Sequence, residues 1–227
     1  MNRPVSSPNS TREKEAKFLA VMDEFDRTIG MFLDDLDKAG MADNTLVLFV
    51  GDNGAAAPFF GTRRTLGRRG MKFSLYEGGI WEAALARWPG RIPAGTVNKE
   101  TVMHGIDFLP TFASIAGAKL DRKEQIDGED LSGAFFGKTP VRKKMIFWEY
   151  GRNDSFFYPA GRNRSPGIAV REDRWKLLVN KDGSRVELYD IEADPFEQTN
   201  LIDKEKELTA RLKGLALKWF SSLPTYR

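Results

Sequence analysis

The sequence predicts an α/β fold followed by a small α+β unit with an antiparallel sheet and a packed C-terminal helix. Three observations carry this. A long amphipathic stretch, from about Lys14 to Ala39, runs straight into the apolar segment Thr45 to Val50. That helix-to-buried-strand step is the repeating unit of α/β sheets. A second apolar run, Ile80 to Trp88, and a helix opening near Asp107 follow in the same half. After Gly137 the pattern changes to short β-rich runs separated by turn signals, then one last helix.

Each element has a local reason. Residues 1–13 are polar and rich in Pro, Ser and Asn, which predicts a disordered N-terminal tail. Phe18, Met22, Phe25, Ile29, Phe32, Leu33 and Leu36 recur at steps of three and four and form one apolar stripe. Asp23, Glu24, Asp34, Asp35 and Asp37 fall off it, and Gly40 suits a C′ stop. The run Thr45 to Val50 reads as a strand buried on both faces, as in a parallel sheet covered by helices. Residues 55–70 read as a loop, and Tyr76-Glu77-Gly78-Gly79 as a turn. Trp88-Pro89-Gly90-Arg91-Ile92-Pro93 closes the second strand. Asp107 reads as the N-cap of a helix through Phe108, Leu109, Phe112 and Ile115, stopped at Gly117. Met145 to Tyr150, Gly167 to Asn180 and Arg185 to Asp190 read as strands, with a hairpin signal at Lys181-Asp182-Gly183. Leu208, Leu212, Leu215 and Trp219 lie on one face of the final helix. The expected division is a tail over 1–13, an α/β part over 14–137 and a small antiparallel-sheet subdomain over 138–227.

Composition narrows the chemistry. A chain of 227 residues with 41% hydrophobic residues can bury a real core. It has no cysteine, which excludes disulfides, thiolate metal sites and cysteine nucleophiles within it. Its one histidine, His104, excludes a multi-histidine zinc site within it. The net charge of +3 is dispersed, and the basic clusters Arg63-Arg64 and Arg68-Arg69 are too small for a nucleic-acid footprint. No apolar run approaches the ~18 residues of a membrane span. Met1 to Pro8 lacks an apolar segment, so no signal peptide is expected.

The chemistry concentrates where the first strand ends, at Gly51-Asp52-Asn53-Gly54. In open α/β sheets ligands sit at the carboxyl ends of strands. Two hard oxygen donors there suit Ca²⁺ or Mg²⁺. The same residues also make ordinary Asx-turn chemistry, and on this stretch alone both readings stand.

Three further stretches bear on the choice. Leu48-Phe49-Val50-Gly51-Asp52-Asn53-Gly54, Gly70-Met71-Lys72-Phe73-Ser74-Leu75-Tyr76-Glu77-Gly78-Gly79-Ile80 and Arg87-Trp88-Pro89-Gly90-Arg91-Ile92-Pro93-Ala94-Gly95 occur in that order. Together they resemble the sulfatase family, within the alkaline-phosphatase-like superfamily. Ile106 to Thr111, Ile126 to Leu131, Trp175 to Leu178, Glu187 to Asp190 and Asp194-Pro195 fit the same pattern. The resemblance runs from about Lys17 to the end and matches a C-terminal portion, the later part of the alkaline-phosphatase-like sandwich.

The resemblance implies a sulfuric ester hydrolase whose substrates are sulfate esters, sulfated glycans among them. It implies that Asp52 and Asn53 ligate a Ca²⁺ at the sulfate site. It places Lys72 against the sulfate, where an ammonium acts as a point charge on an anion and on the leaving oxygen. His104 falls where the resemblance implies a structural or substrate-rim role; as a general acid it has no evident partner. Tyr76, Glu77, Gly78 and Gly79 read as scaffolding that aims Lys72. The arginines at 63, 64, 68 and 69 read as mainly solvated. Trp81-Glu82-Ala83 departs from the family's usual Arg-x-Pro. A related phosphodiesterase or phosphonate hydrolase, and a non-catalytic binding fragment, are the alternatives.

Family members use a formylglycine made from Cys or Ser in Cys/Ser-x-Pro-x-Arg. Ser6-Ser7-Pro8-Asn9-Ser10 has serine where that arginine belongs. The nucleophile and further metal ligands are therefore expected on a missing N-terminal half. The chain alone is expected to be inactive, to bind metal weakly and to expose an uncovered sheet. Family members are typically periplasmic, secreted or lysosomal.

Overall fold

A computed structural model of the chain describes residues 8–56, 64–121, 126–150 and 159–224. Helix α1 spans Pro8–Lys38. It starts ahead of the predicted Lys14, so residues 8–13 are helical rather than a disordered tail; residues 1–7 lie outside the described set. The early turns are polar, and they show no apolar period to read. An i,i+4 pair, Lys17 to Glu13 at 2.6 Å, supports them instead. Gly40, at φ +66°, ends the helix as expected.

Strand β1 (Val47–Val50) pairs antiparallel with β2 (Ala84–Arg87), Val47 opposite Arg87. This corrects the expectation of a parallel strand buried on both faces. Phe49 and Val50 are each 39% exposed and Leu85 is 62% exposed. Among the described residues β1 has one hydrogen-bonded neighbour, so its apolar sequence is not matched by burial. Helix α1 reaches this ribbon through Phe25 on Phe49, with ring centroids 6.0 Å apart. Arg87 also donates to both Asp37 carboxylate oxygens at 2.8 Å. Met22, Phe25 and Phe32 of its stripe remain exposed.

Between the two strands lies α2 (Glu77–Ile80), one helical turn where a turn was expected. A 3₁₀ turn, Gly105–Asp107, leads into α3 (Phe108–Ile115). Asp107 takes the N-cap position of α3, as expected, but its side chain makes no capping bond to that helix. It is buried, accepting from His104 N at 2.7 Å and Glu129 N at 2.9 Å and pairing with Arg142. The Ile106–Thr111 and Ile126–Leu131 motifs thus bind to each other in the fold, with Leu131 N also donating to Thr111 Oγ1 at 3.0 Å.

The C-terminal sheet runs β3 (Ile146–Glu149), β4 (Ile168–Glu172), β5 (Trp175–Val179) and β6 (Glu187–Asp190), in that order and all antiparallel. The single strand expected over 167–180 is two. It folds back at Asp173, which adopts φ +52°. Alternation divides the sheet into two faces. Ile168, Val170, Leu177, Val179 and Leu188 pack under α4 (Lys206–Ser222) through Leu212 and Ala216. Trp219 of α4 stacks on Phe147 at 5.1 Å. Ala169, Leu178 and Tyr189 face the other way and are covered by Leu75 and Tyr76. The antiparallel subdomain with its packed helix is therefore as expected, but its second face is buried too. What buries it is the loop carrying Lys72. No described helix is long and apolar enough to cross a membrane.

Candidate functional site

Backbone hydrogen bonds hold the segment after β1. Gly54 N donates to Gly79 O at 2.9 Å, and Lys72 N donates to Ala55 O at 3.0 Å. These two bonds lace the Asp52-Asn53 strand end to the Gly70–Gly79 loop. Gly54 is buried, and a Cβ there would run into the Gly78 carbonyl. Glycine is required because the two chain segments approach so closely.

This lacing brings three of the sequence-predicted residues onto adjoining segments. Asp52 is exposed, Asn53 and Lys72 are half-buried. Lys72 Nζ lies 5.6 Å from the Phe73 ring centroid. Glu82 is an addition that sequence reasoning did not place: burial first, then the Asp52 charge, raises its pKa. Asp52, Asn53 and Glu82 offer hard oxygens of the type Ca²⁺ prefers, fewer than its usual 6–8. Among the described residues no group of three or more His, Asp or Glu side chains is arranged to hold a metal. The donor chemistry fits such an ion, and the donors among the described residues do not complete its shell.

His104 is placed elsewhere on the same sheet face. Its Nδ1 accepts from Ile106 N at 3.3 Å, and its ring meets Trp148 edge-on at 5.3 Å. Burial, more than Arg142, lowers its pKa against the opposing pull of Asp107. One of its ring nitrogens is already engaged as an acceptor. Phe73 approaches Tyr150, two residues beyond Trp148, at 6.3 Å. Residues i and i+2 of a strand share a face about 7 Å apart. The β3 region thus brings His104 toward the loop of Lys72, while its polar contacts run to Ile106 and Asp107.

Lys176, Glu77 and Glu187, which fix the loop, stand in the sequence motifs but not as partners, and Glu197 stands in none of them. Lys176 is fully buried on β5, and its Nζ lies 2.7 Å from Glu77 Oε1 and 3.0 Å from Glu197 Oε1. Glu197 Oε2 accepts from Glu77 N at 2.7 Å. Burial works against the Glu77 carboxylate, but Lys176, Arg171 and Arg68 outweigh it and hold its pKa low. A second group centres on Glu187. It accepts from Tyr76 OH at 2.7 Å and Tyr189 OH at 2.8 Å, and pairs with Arg69 and Arg185. Burial, then the Glu187 bond, raises the Tyr76 pKa far above the usual phenol range.

Two expectations are corrected here. Arg69 is not solvated: its side chain is 15% exposed and its guanidinium stacks on Tyr76 at 3.8 Å. Arg68 stacks on Trp81 at 3.8 Å. Arg63 lies outside the described residues.

Comparison with known proteins finds sulfatases. Residues 5–118 match the family described as Sulfatase, and residues 70–218 match "N-sulphoglucosamine sulphohydrolase, C-terminal". A sulfatase from Formosa agariphila is 31% identical over 228 residues, covering 93% of this chain and 39% of that protein. Arylsulfatase G of Rattus norvegicus is 34% identical over 235 residues, covering 91% and 44%. A solved structure of a protein in complex with its substrate D-glucosamine-2-N, 6-O-disulfate is similar at 25% identity and a TM-score of 0.60, covering 86% and 38%. The chain spans less than half the length of these relatives.

Proposed function

The chain belongs to the sulfatase family, and from that premise we propose that it supplies one side of a sulfuric ester hydrolase site. In this reading Asp52 and Asn53 hold a Ca²⁺ and Lys72 holds the sulfate group. The observation that carries it is the pair of backbone bonds, Gly54 N to Gly79 O and Lys72 N to Ala55 O, which adjoin the strand end and the lysine loop.

A bound Ca²⁺ would supply positive charge to the sulfate oxygens. The rest follows from this chain's own residues. One carboxylate and one amide leave a divalent cation with net positive charge for an anion. Lys72 adds a second positive group, placed where negative charge grows on the leaving oxygen. The nucleophile and the remaining oxygen ligands come from a complementary N-terminal portion of the fold, because this chain has no cysteine and no Ser-x-Pro-x-Arg. The substrate class is a sulfated sugar. The N-sulphoglucosamine sulphohydrolase match and the glucosamine disulfate bound by one structural relative support it.

Titration of the chain with inorganic sulfate, with and without Ca²⁺, tests the reading. Weak sulfate binding that strengthens with Ca²⁺ and drops at least tenfold in both Lys72→Ala and Asp52→Asn is expected. Sulfate binding indifferent to both substitutions overturns it. Equal or tighter binding of phosphate favours a phosphoester hydrolase of the same superfamily.

A further inference from the structure

We infer that Glu197 is a positioning residue for the Lys72 loop, and that gain or loss of its proton determines whether the turn Glu77–Ile80 stays docked on the C-terminal sheet. Its consequence for the anion site rests on the reading of Lys72 above.

The geometry is that of two carboxylates on one ammonium. Glu197 is 1% exposed and adopts φ +53°, a left-handed conformation that a non-glycine residue keeps only where its surroundings hold it. Its Oε2 accepts from the Glu77 backbone at 2.7 Å. Its Oε1 lies 3.0 Å from Lys176 Nζ yet makes no well-aligned hydrogen bond. Glu77 holds the shorter, aligned bond to the same Nζ, at 2.7 Å.

The other charges nearby do not neutralise Glu197. Arg171 and Arg68 act on Glu77. Arg69 donates to the Glu197 carbonyl at 3.3 Å, but its charge is engaged by Glu187. With both carboxylates ionised, Glu77, Lys176 and Glu197 carry a net charge of −1 among the three, offset only on the Glu77 side, by Arg171 and Arg68. With Glu197 protonated they are neutral. Glu77 has the better bond to Lys176, so Glu197 is the member that takes the proton. Burial, only partly offset by Lys176, raises its pKa to about 7.

A cleft of about 520 Å³ lined by Arg69, Arg162, Glu197 and Gln198 lies alongside. The Glu197 side chain itself is fully buried, so its proton exchanges through local opening toward that cleft. Ionisation sets the two carboxylates against each other across one ammonium and loosens the turn that Glu77 begins. Gly79 O, which receives Gly54 N, belongs to that turn. The loosening therefore reaches the segment carrying Asp52.

Two measurements on the chain decide this. Carboxyl NMR of the wild type should show Glu197 titrating near pH 7, and a midpoint below pH 5.5 overturns the inference. Amide exchange at Gly78 and Gly79, corrected for intrinsic pH dependence, should lose at least tenfold protection between pH 6 and pH 8. Glu197→Gln should hold that protection level across the range. A flat wild-type profile, or a step that survives in Glu197→Gln, overturns it; if that variant does not fold, the two wild-type measurements decide. Neither readout uses sulfate or metal. A failed sulfate titration therefore removes the anion reading alone, and a flat exchange profile removes the latch alone.

Discussion

The ε-amino group of Lys176 donates to the carboxylate of Glu77 at 2.7 Å across 99 residues of sequence. Neither side chain is more than 4% exposed. The bond joins the middle of the C-terminal sheet to the end of the loop that carries Lys72. Position in the fold, rather than proximity in sequence, makes this lysine and this glutamate partners.

Removing the lysine should therefore cost more than losing a surface pair. Lys176→Met leaves Glu77 and Glu197 buried without their cation. Breaking a buried pair from one side destabilises by about 3–5 kcal/mol. Urea denaturation should show that loss in Lys176→Met, and much less in Lys17→Met, whose pair is exposed.

Stability should depend on pH through Glu197. Its pKa is 4.5 ordinarily and about 7 in the folded chain. Between those values the native state keeps a proton that the unfolded state has released. Its contribution is thus full below about pH 4.5, shrinks as pH rises, and is gone above about pH 7. Denaturation midpoints at pH 5.5 and pH 8 should differ more in the wild type than in Glu197→Gln.

Gly54→Ala should loosen the lacing between the strand end and the Lys72 loop. The added methyl group meets the Gly78 carbonyl. Overpacking of this kind costs about 1–3 kcal/mol. Chemical denaturation measures the cost, and faster amide exchange at Gly54 and Lys72 locates it.

On the helical face of the sheet, Leu212→Ala should cost about 2–5 kcal/mol. Leu212 is fully buried among Ile168, Val170 and Leu188. A thermal melt of the variant checks this, with Leu19→Ala, on an exposed position of α1, as the near-neutral control.

The exposed apolar residues of α1, β1 and β2 should make the chain self-associate. Phe25, Phe32, Phe49 and Leu85 are each more than a third exposed, and contiguous apolar surface of this kind marks interaction sites or aggregation hazards. Size-exclusion chromatography should show oligomers. Phe49→Lys with Leu85→Lys should shift the profile toward monomer, and a clean wild-type monomer would count against a covering partner.

Much of the architecture was legible from pattern. The stripe Phe18 to Leu36, the Gly40 stop and the face of the last helix all follow from residue spacing, because helical periodicity is local. The motif order identified the family and marked Asp52, Asn53 and Lys72. Local pattern failed where pairing matters. An apolar run such as Val47–Val50 states that a strand wants burial, not which neighbour it finds, and here the neighbour is antiparallel and the burial incomplete.

The C-terminal strands show the division most clearly. By itself the sequence determined their period of two: Leu177 and Val179 on one face, Lys176 and Leu178 on the other. A lysine on such a face ordinarily means water, and so do Glu187 on β6 and Arg69 in an arginine-rich loop. Only the tertiary structure turned that face inward, by laying Leu75, Tyr76 and Glu77 across it. Alternation specifies two faces of a strand but says nothing about what will cover them. A buried charge is tolerable only when a distant segment brings its counter-charge, and that meeting is a property of the folded chain.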